Sequence, residues 1–176
     1  MERKRIKGNI ETAWRGHEDY AYTLVEFIKP EVTVDLGVDF GFSTIAWALP
    51  NIGTVYGIDW FKGDDHAGIR NAKQVAEQHI ADNEVTNVVL IEGDFFDVAK
   101  TWDKSIDILH IDGFHSYDFT KSVFEVWSKF VRPGGIILFH DTMSFPNDVG
   151  RFFNEIQGAK FNFTHSHGLG VFTTPV

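Results

Sequence analysis

The sequence predicts an α/β protein: a doubly wound sheet of about seven strands, mostly parallel, with helices on both faces and an antiparallel hairpin at one edge. Three observations predict it. Short β-branched runs alternate with segments of helical periodicity. Those runs are apolar throughout, as strands covered on both faces are. The last two strand-like runs have no helix between them.

Taken in order, Tyr20, Leu24, Val25 and Ile28 fall at helical spacing, and Pro30 stops that helix. Val32 to Leu36 is a buried strand ending at a glycine. Ser43 to Leu49 is a helix closed by Pro50, and Thr54 to Asp59 a second strand. Trp60 to Gly68 is polar and glycine-bearing, which predicts a loop. Ala72, Val75, Ala76, His79 and Ile80 form a helix stripe, and Asn87 to Ile91 a third strand. Ile106 to Asp112 is the fourth strand. Val123, Phe124, Trp127, Phe130 and Val131 line one helix face. Pro133-Gly134-Gly135 reads as a turn, and Ile136 to Phe139 as the fifth strand. Val149, Phe152, Phe153 and Ile156 make a last helix stripe. Phe161 to Thr164 and Gly170 to Thr174 are strands around His165-Ser166-His167-Gly168.

The chain has 176 residues, enough for one domain over 1–176 with a helical segment at 1–30. Its 17 Phe and 5 Trp support a sizeable core. Sixteen Lys and Arg against 25 Asp and Glu give a net charge of −9, which works against nucleic acid or an anionic membrane as partner. Without cysteine there is no disulfide, thiolate nucleophile or zinc ribbon. No apolar run approaches the ~18 residues of a membrane span, and the charged start Met1 to Arg5 precedes no apolar signal core. The expectation is a soluble, cytoplasmic protein.

In doubly wound sheets ligands bind beyond the carboxyl ends of the strands, so the residues just past each strand carry the functional reading. Asp35-Leu36-Gly37-Val38-Asp39-Phe40-Gly41-Phe42-Ser43 puts two glycines between a strand and a helix, where backbone can approach a ligand closely. Asp39 stands where a pyrophosphate loop usually has a glycine. An acid there disfavours phosphate and tolerates a cation such as a sulfonium beside an amino group. Asp59, ending the second strand and followed by Trp60, is placed to accept both hydroxyls of a ribose. Asp94 in Gly93-Asp94-Phe95-Phe96 is placed to accept from an adenine amino group with an aromatic neighbour, or else to cap the next helix.

With these residues the chain resembles the class I S-adenosylmethionine-dependent methyltransferases, over about Ile10 to Phe172. Asp35-x-Gly37-x-x-x-Gly41, Asp59 and Gly93-Asp94 follow the order of that family's cofactor motifs. The resemblance implies a Rossmann-like sheet whose last strand is reversed. It also implies S-adenosylmethionine as cofactor, held by Asp35, Gly37, Gly41, Ser43, Asp59, Trp60, Asp94 and Phe95. Gly37 and Gly41 would bracket the methionine part, Asp59 the ribose and Asp94 the adenine.

The fourth strand runs into His110-Ile111-Asp112-Gly113-Phe114-His115 and the fifth into His140-Asp141. Asp112, His140 and Asp141 at adjacent strand ends suit a divalent cation. Mg²⁺ or Mn²⁺ is expected over zinc because oxygens dominate. Such a cation would acidify an acceptor hydroxyl, and His115 could take its proton. As base it must be neutral, and a bound cation close by would repel the imidazolium, so its titration in the cation-bound enzyme is expected at or below ~6.5. His110 alternates with Ile111 and reads as a core imidazole. His140 and Asp141, as consecutive strand residues, could point to opposite faces. Ile111 to His115, Pro133 to Gly135 and His140-Asp141 also resemble the metal-dependent sugar and small-molecule O-methyltransferases. In that branch the resemblance implies Asp112 and Asp141 as ligands and His115 as base, although many members have an acid pair where this chain has His140-Asp141.

The expected activity is methyl transfer to a hydroxyl of a sugar, glycan or small-molecule glycoside. Without a large cap insertion the acceptor site would be open, or completed by a second copy in a homo-oligomer. Two other classes stand beside this one. A nicotinamide-dependent oxidoreductase is disfavoured by Asp39 and the polar fourth and fifth strand ends. A non-catalytic cofactor- or metal-binding module would bind without transferring a methyl. Trp14 and His17 could fold over the cofactor as a lid or begin an ordinary helix. Asp64 and Asp65 read as turn caps, His165 and His167 as turn residues, and His66 has no assigned role.

Overall fold

The structure, a computed structural model, describes residues 3–64 and 68–176. Seven strands form one sheet in the order β5-β2-β1-β6-β7-β9-β8. These are β1 (Val32–Leu36), β2 (Thr54–Asp59), β5 (Val88–Glu92), β6 (Ile106–Ile111), β7 (Val131–His140), β8 (Lys160–Phe163) and β9 (Leu169–Thr173). β1, β2, β5, β6 and β7 pair in parallel. β9 pairs antiparallel with both β7 and β8. The antiparallel edge pair is thus present, with the reversed strand one place in from the edge and β8 outermost.

Helices α1 (Glu18–Ile28), α2 (Phe42–Ala48) and α3 (Lys73–Asp82) alternate with the strands, followed by α4 (Phe95–Ala99), α5 (Tyr117–Trp127) and α6 (Val149–Glu155). Side chains along β7 alternate between two cores, as the period of a strand requires. Ile137 and Phe139 join Val123, Trp127, Phe152 and Phe153 of α5 and α6. Ile136 and Leu138 join Ala21, Val25, Ile45 and Trp47 of α1 and α2. Burying a large apolar side chain stabilises by roughly 1.5–3 kcal/mol, and Trp14, Trp47 and Trp127 are among the largest fully buried. Among the described residues no helix is long and apolar enough to cross a membrane.

Several expectations are corrected. The loop predicted after β2 contains a small antiparallel hairpin, β3 (Gly63–Asp64) with β4 (Gly68–Ile69); Asp65 and His66 lie outside the described residues. The five-residue α4 carries too short a stripe to be read from periodicity. The stripe extended to Val131 is broken in two: α5 ends at Trp127, and a 3₁₀ turn over Ser128–Phe130 delivers Val131 into β7. Pro133-Gly134-Gly135 lies within the span of β7, where the pairing with β6 shifts register between Ile106 and Ile108. The irregular backbone those residues favour is a kink in a strand and not its start.

The order around β1 decides where function sits. β2 and β6 flank β1 on opposite sides, so the chain leaves β1 and β6 in different directions, and the sheet has its switch point there. The loop after β1 crosses close to the one after β6. At Gly37, with φ 102°, an added Cβ would overlap the Asp112 carbonyl oxygen. We expect Gly37→Ala to lower stability by at least ~3 kcal/mol, the top of the ordinary range for point substitutions. Gly41→Ala should cost only the ~1–2 kcal/mol of a left-handed residue, because its Cβ would meet Ala76 at 3.5 Å. Chemical denaturation of both variants checks the contrast.

Candidate active site

Five strand ends contribute to one edge of the sheet. At the first, Asp35 is fully buried. Its Oδ2 accepts from Ser43 Oγ at 2.8 Å and Thr44 Oγ1 at 2.5 Å. Its Oδ1 lies 2.6 Å from His110 Nδ1. His110 Nε2 in turn accepts from Trp14 Nε1 at 3.0 Å, so the ring hydrogen facing Asp35 is on Nδ1. His110 is the core imidazole its alternation predicts. Asp35 and Ser43 are corrected: with no exposed surface and three side-chain donors, the carboxylate ties β1, α2 and β6 together and offers no open oxygen to a ligand.

Asp39 has φ 45°, and its N–H donates to Asp59 Oδ2 at 2.9 Å. The cation beside the Asp39 carboxylate is Arg70, 3.3 Å away. Asp59 also accepts from Phe61 N at 2.7 Å. Burial raises its pKa, and the N–H groups of Asp39 and Phe61 oppose that rise. One N–H per oxygen orients the carboxylate and leaves each oxygen further acceptor capacity. Gly37 and Gly41 lie in the same loop with φ of 102° and 92°, and Gly41 precedes the first turn of α2.

Asp94 is the N-cap of α4: its Oδ1 accepts from Phe96 N and Asp97 N at 2.8 and 3.3 Å. The cap reading is the one the structure shows, and Oδ2 has no hydrogen-bond partner among the described residues. Phe95 is corrected. It is buried in the core under Gly113, and Trp127 Nε1 donates to its carbonyl. The aromatic ring open at this end is Trp60, 49% exposed, which with Lys62, Glu92, Gly93 and Asp94 lines a cleft of about 430 Å³.

At the ends of β6 and β7 Asp112, His115, His140 and Asp141 meet, with His167 Nδ1 3.9 Å from Asp141 Oδ1. His115 Nε2 lies 2.9 Å from Asp141 Oδ2 and 3.4 Å from Asp112 Oδ1. His140 Nδ1 lies 3.1 Å from Asp141 Oδ2 and 3.4 Å from Asp112 Oδ2. His140 and Asp141 converge although they are consecutive, because Asp141 takes φ 64° and breaks the strand alternation. Among the described residues Asp112, His115 and Asp141 present ligand atoms within 4.8 Å of one another. His115 thus joins the expected cation cluster on its open side, and His140 stands at its buried side. Two carboxylates and an imidazole within that reach suit a divalent cation.

Burial disfavours the charged form of His115, but its hydrogen bonds to the Asp112 and Asp141 carboxylates outweigh it and push the pKa up to about 9. For His140 burial is outweighed by the charge of Asp112 and its hydrogen bonds, and the pKa rises to about 10. Asp141, despite burial, is held at about 2 by His115 and His140, and Asp112 is well below the carboxylate range for the same reason. The expectation of a titration at or below ~6.5 concerns His115 beside a bound cation; without one, the two carboxylates hold it at about 9.

Trp14 and His17 are both buried and form part of the packing beneath these strand ends. Sequence reasoning missed three contributors: Thr44 on Asp35, Phe145 stacked on His115 at 4.4 Å, and the Ser166 carbonyl, which takes His17 Nε2 and His140 Nε2 at 3.0 and 3.2 Å. No pattern in the chain marks a carbonyl as a site partner. His165 and His167 are turn residues, bonded to Gly16 O and Ser144 Oγ.

Residues 34–142 match the family model described as a methyltransferase domain. An uncharacterized protein, y4gI, of Sinorhizobium fredii is 30% identical over 172 residues, covering 91% of this chain. The chain spans 19% of that relative's length. Among solved structures, the O-methyltransferase of Bacillus cereus in complex with S-adenosylhomocysteine superposes with a TM-score of 0.73 at 15% identity, over 96% of this chain and 84% of its own. TomG of Streptomyces achromogenes, an O-methyltransferase of tomaymycin synthesis in complex with S-adenosylmethionine, gives 0.68 at 18% identity, over 90% and 79%. The O-methyltransferase NovP gives 0.73 at 17%, over 91% and 80%.

The cluster predicts how stability follows pH. His115 and His140 have raised pKa values, so their contribution is complete below ~6.5, the unfolded value, and lost as pH rises through about 9 and about 10. His17, lowered by burial to about 4, has the opposite sign: its contribution is complete above ~6.5 and lost as pH falls toward 4. The melting temperature should therefore peak near ~6.5 and decline on both sides. Asp141→Asn should flatten the alkaline limb, as thermal melts across the range would show.

Proposed function

The chain belongs to the methyltransferase-domain family and has the fold of class I S-adenosylmethionine-dependent methyltransferases, and on that premise we propose that it methylates an acceptor hydroxyl with the help of a divalent cation. The observation that carries this reading is the juxtaposition along one sheet edge of two unlike sites. After β2 and β5 stand an oriented carboxylate, Asp59, an exposed aromatic ring, Trp60, and the open oxygen of Asp94. After β6 and β7 stand Asp112, His115 and Asp141.

In this reading the loop from Gly37 to Gly41 faces the methionine part of the cofactor. Asp59 accepts from the ribose hydroxyls, Asp94 Oδ2 from the adenine amino group, and Trp60 covers the ring. The cofactor, when bound, would supply a sulfonium methyl for in-line transfer to the acceptor oxygen. The protein's share is mainly to hold the two partners in that geometry. Asp112 and Asp141 would hold the cation, which when bound lowers the pKa of the acceptor hydroxyl. His115, 16% exposed and stacked on Phe145, takes the proton released. The acceptors we favour are sugars, glycans and small-molecule glycosides. A small-molecule acceptor is in keeping with TomG, which acts in tomaymycin synthesis.

Calorimetry with S-adenosylmethionine and with NAD separates this reading from an oxidoreductase; binding of NAD alone would overturn it. Asp59→Ala should weaken S-adenosylmethionine binding by roughly 1.5–3 kcal/mol, the range for hydrogen bonds to a charged group. Methyl transfer to a glycoside panel then separates an enzyme from a binding module.

His115 yields a second expectation. It accepts a proton only when neutral, so without added cation activity should rise with pH through about 9, where Asp112 and Asp141 place its titration. A cation on those carboxylates repels the imidazolium and should move the limb to lower pH. His115→Ala should lower turnover by about 10²–10⁴-fold with little change in cofactor affinity. Profiles of kcat/KM against pH, with and without cation, check both points.

A further inference from the structure

The two imidazoles of the cluster are not equivalent. His115 lies on the open side, whereas His140 is 1% exposed. His140 Nε2 is 3.2 Å from the Ser166 carbonyl, which can only accept, so this nitrogen carries a hydrogen. Nδ1 is thereby turned to Asp112 and Asp141, at 3.4 and 3.1 Å. Metal-ligating imidazoles are held in this manner, one nitrogen donating to a carbonyl and the other directed into the donor set. The spacing agrees. Donors ~2.1 Å from a shared cation lie about 3.0 Å apart at a right angle and about 3.4 Å apart at a tetrahedral angle. His140 Nδ1 lies 3.4 and 3.1 Å from the carboxylate oxygens of Asp112 and Asp141, within that range.

We infer that His140 Nδ1 is a nitrogen ligand beside Asp112 and Asp141, and that the cluster therefore selects a first-row transition-metal dication, from iron to zinc, over Mg²⁺. The inference rests on the cation reading above and names the class of ion. Mg²⁺ keeps oxygen ligands and water, whereas imidazole favours the later transition metals. An acid at position 140 would make the donor set all oxygen on this side. The expectation of Mg²⁺ or Mn²⁺ counted carboxylates. It could not weigh the direction of Nδ1, which depends on a carbonyl 26 residues further along the chain.

The test measures metal binding directly, without methyl transfer. Calorimetry of the metal-stripped chain with Co²⁺ and with Mg²⁺ gives a selectivity ratio for the wild type and for His140→Asp, each checked for folding by circular dichroism. Most sites prefer Co²⁺ to some degree, so the change in ratio is decisive. The wild type should favour Co²⁺ at least a hundredfold, and His140→Asp should cut the ratio at least tenfold. Should that variant not fold, the X-ray absorption spectrum of Co²⁺-loaded His115→Ala should still contain imidazole back-scattering. An unchanged ratio in folded His140→Asp, or no imidazole signal in His115→Ala, overturns the inference and leaves the cation reading standing. Failure of both ions to bind overturns the two together, while cofactor binding remains a separate measurement.

Discussion

A carboxylate with no exposure to solvent is costly unless its oxygens are fully hydrogen-bonded, and Asp35 imposes that requirement at the centre of the sheet. Its needs are met from three directions. Ser43 and Thr44 come from the first turn of α2, so that helix must start immediately after the glycine loop. His110 comes from β6 at the register partner of Asp35, which locks the pairing of the two strands at the switch point. Trp14 supplies the second bond to His110 and brings the N-terminal segment over the α1 and α2 face. Shifting β6 by one residue would replace His110 with Leu109 or Ile111 and leave the buried Asp35 Oδ1 without its donor. The glycine loop and the Asp112 loop are therefore held at one separation.

The turn before β9 does for the other end of the site what Asp35 does for the centre. Ser166 and His167 both have positive φ, 47° and 68°, conformations that side chains rarely adopt without support. The support is dense. Asp141 N donates to Gly168 O, Met143 N to His167 O, and the Ser166 carbonyl takes His17 and His140 together. The antiparallel strand β9 brings this turn to the end of β7, where only parallel strands would otherwise meet. The reversed strand thus gives the site a backbone acceptor on its buried side and holds Asp141 in its own strained conformation.

The sheet was legible because strand runs and helix stripes differ in period, and the site's location because polar residues just past buried strands have few structural uses. Asp59, Asp112 and Asp141 were singled out by that reasoning, and the structure places them along one sheet edge. Asp35 and Ser43 fit the same motif yet serve the interior, since a motif records identity and not how many lone pairs the fold has already filled. Phe95 and Trp60 were both expected at the cofactor, yet Phe95 packs in the core and Trp60 stands half exposed, because adjacency to Asp94 or Asp59 does not say which ring faces the core. His140 was ambiguous in the sequence because alternation separates consecutive side chains, and only the left-handed turn at Asp141 brings both to one point.

The cluster after β7 holds its charges in balance in the absence of any ion. Two carboxylates with depressed pKa values face two imidazoles with raised ones, so the protonated rings supply the positive charge that burial of the acids demands. A dication that enters this site takes over that task. The protons on His140 Nδ1 and His115 Nε2 then lose the interaction that kept them, and must leave for either nitrogen to act as ligand or base. Cation binding and proton release are in this way two sides of one exchange. Under the proposed mechanism His115 would become available as base at neutral pH on the ion's arrival, and without the ion only above about 9.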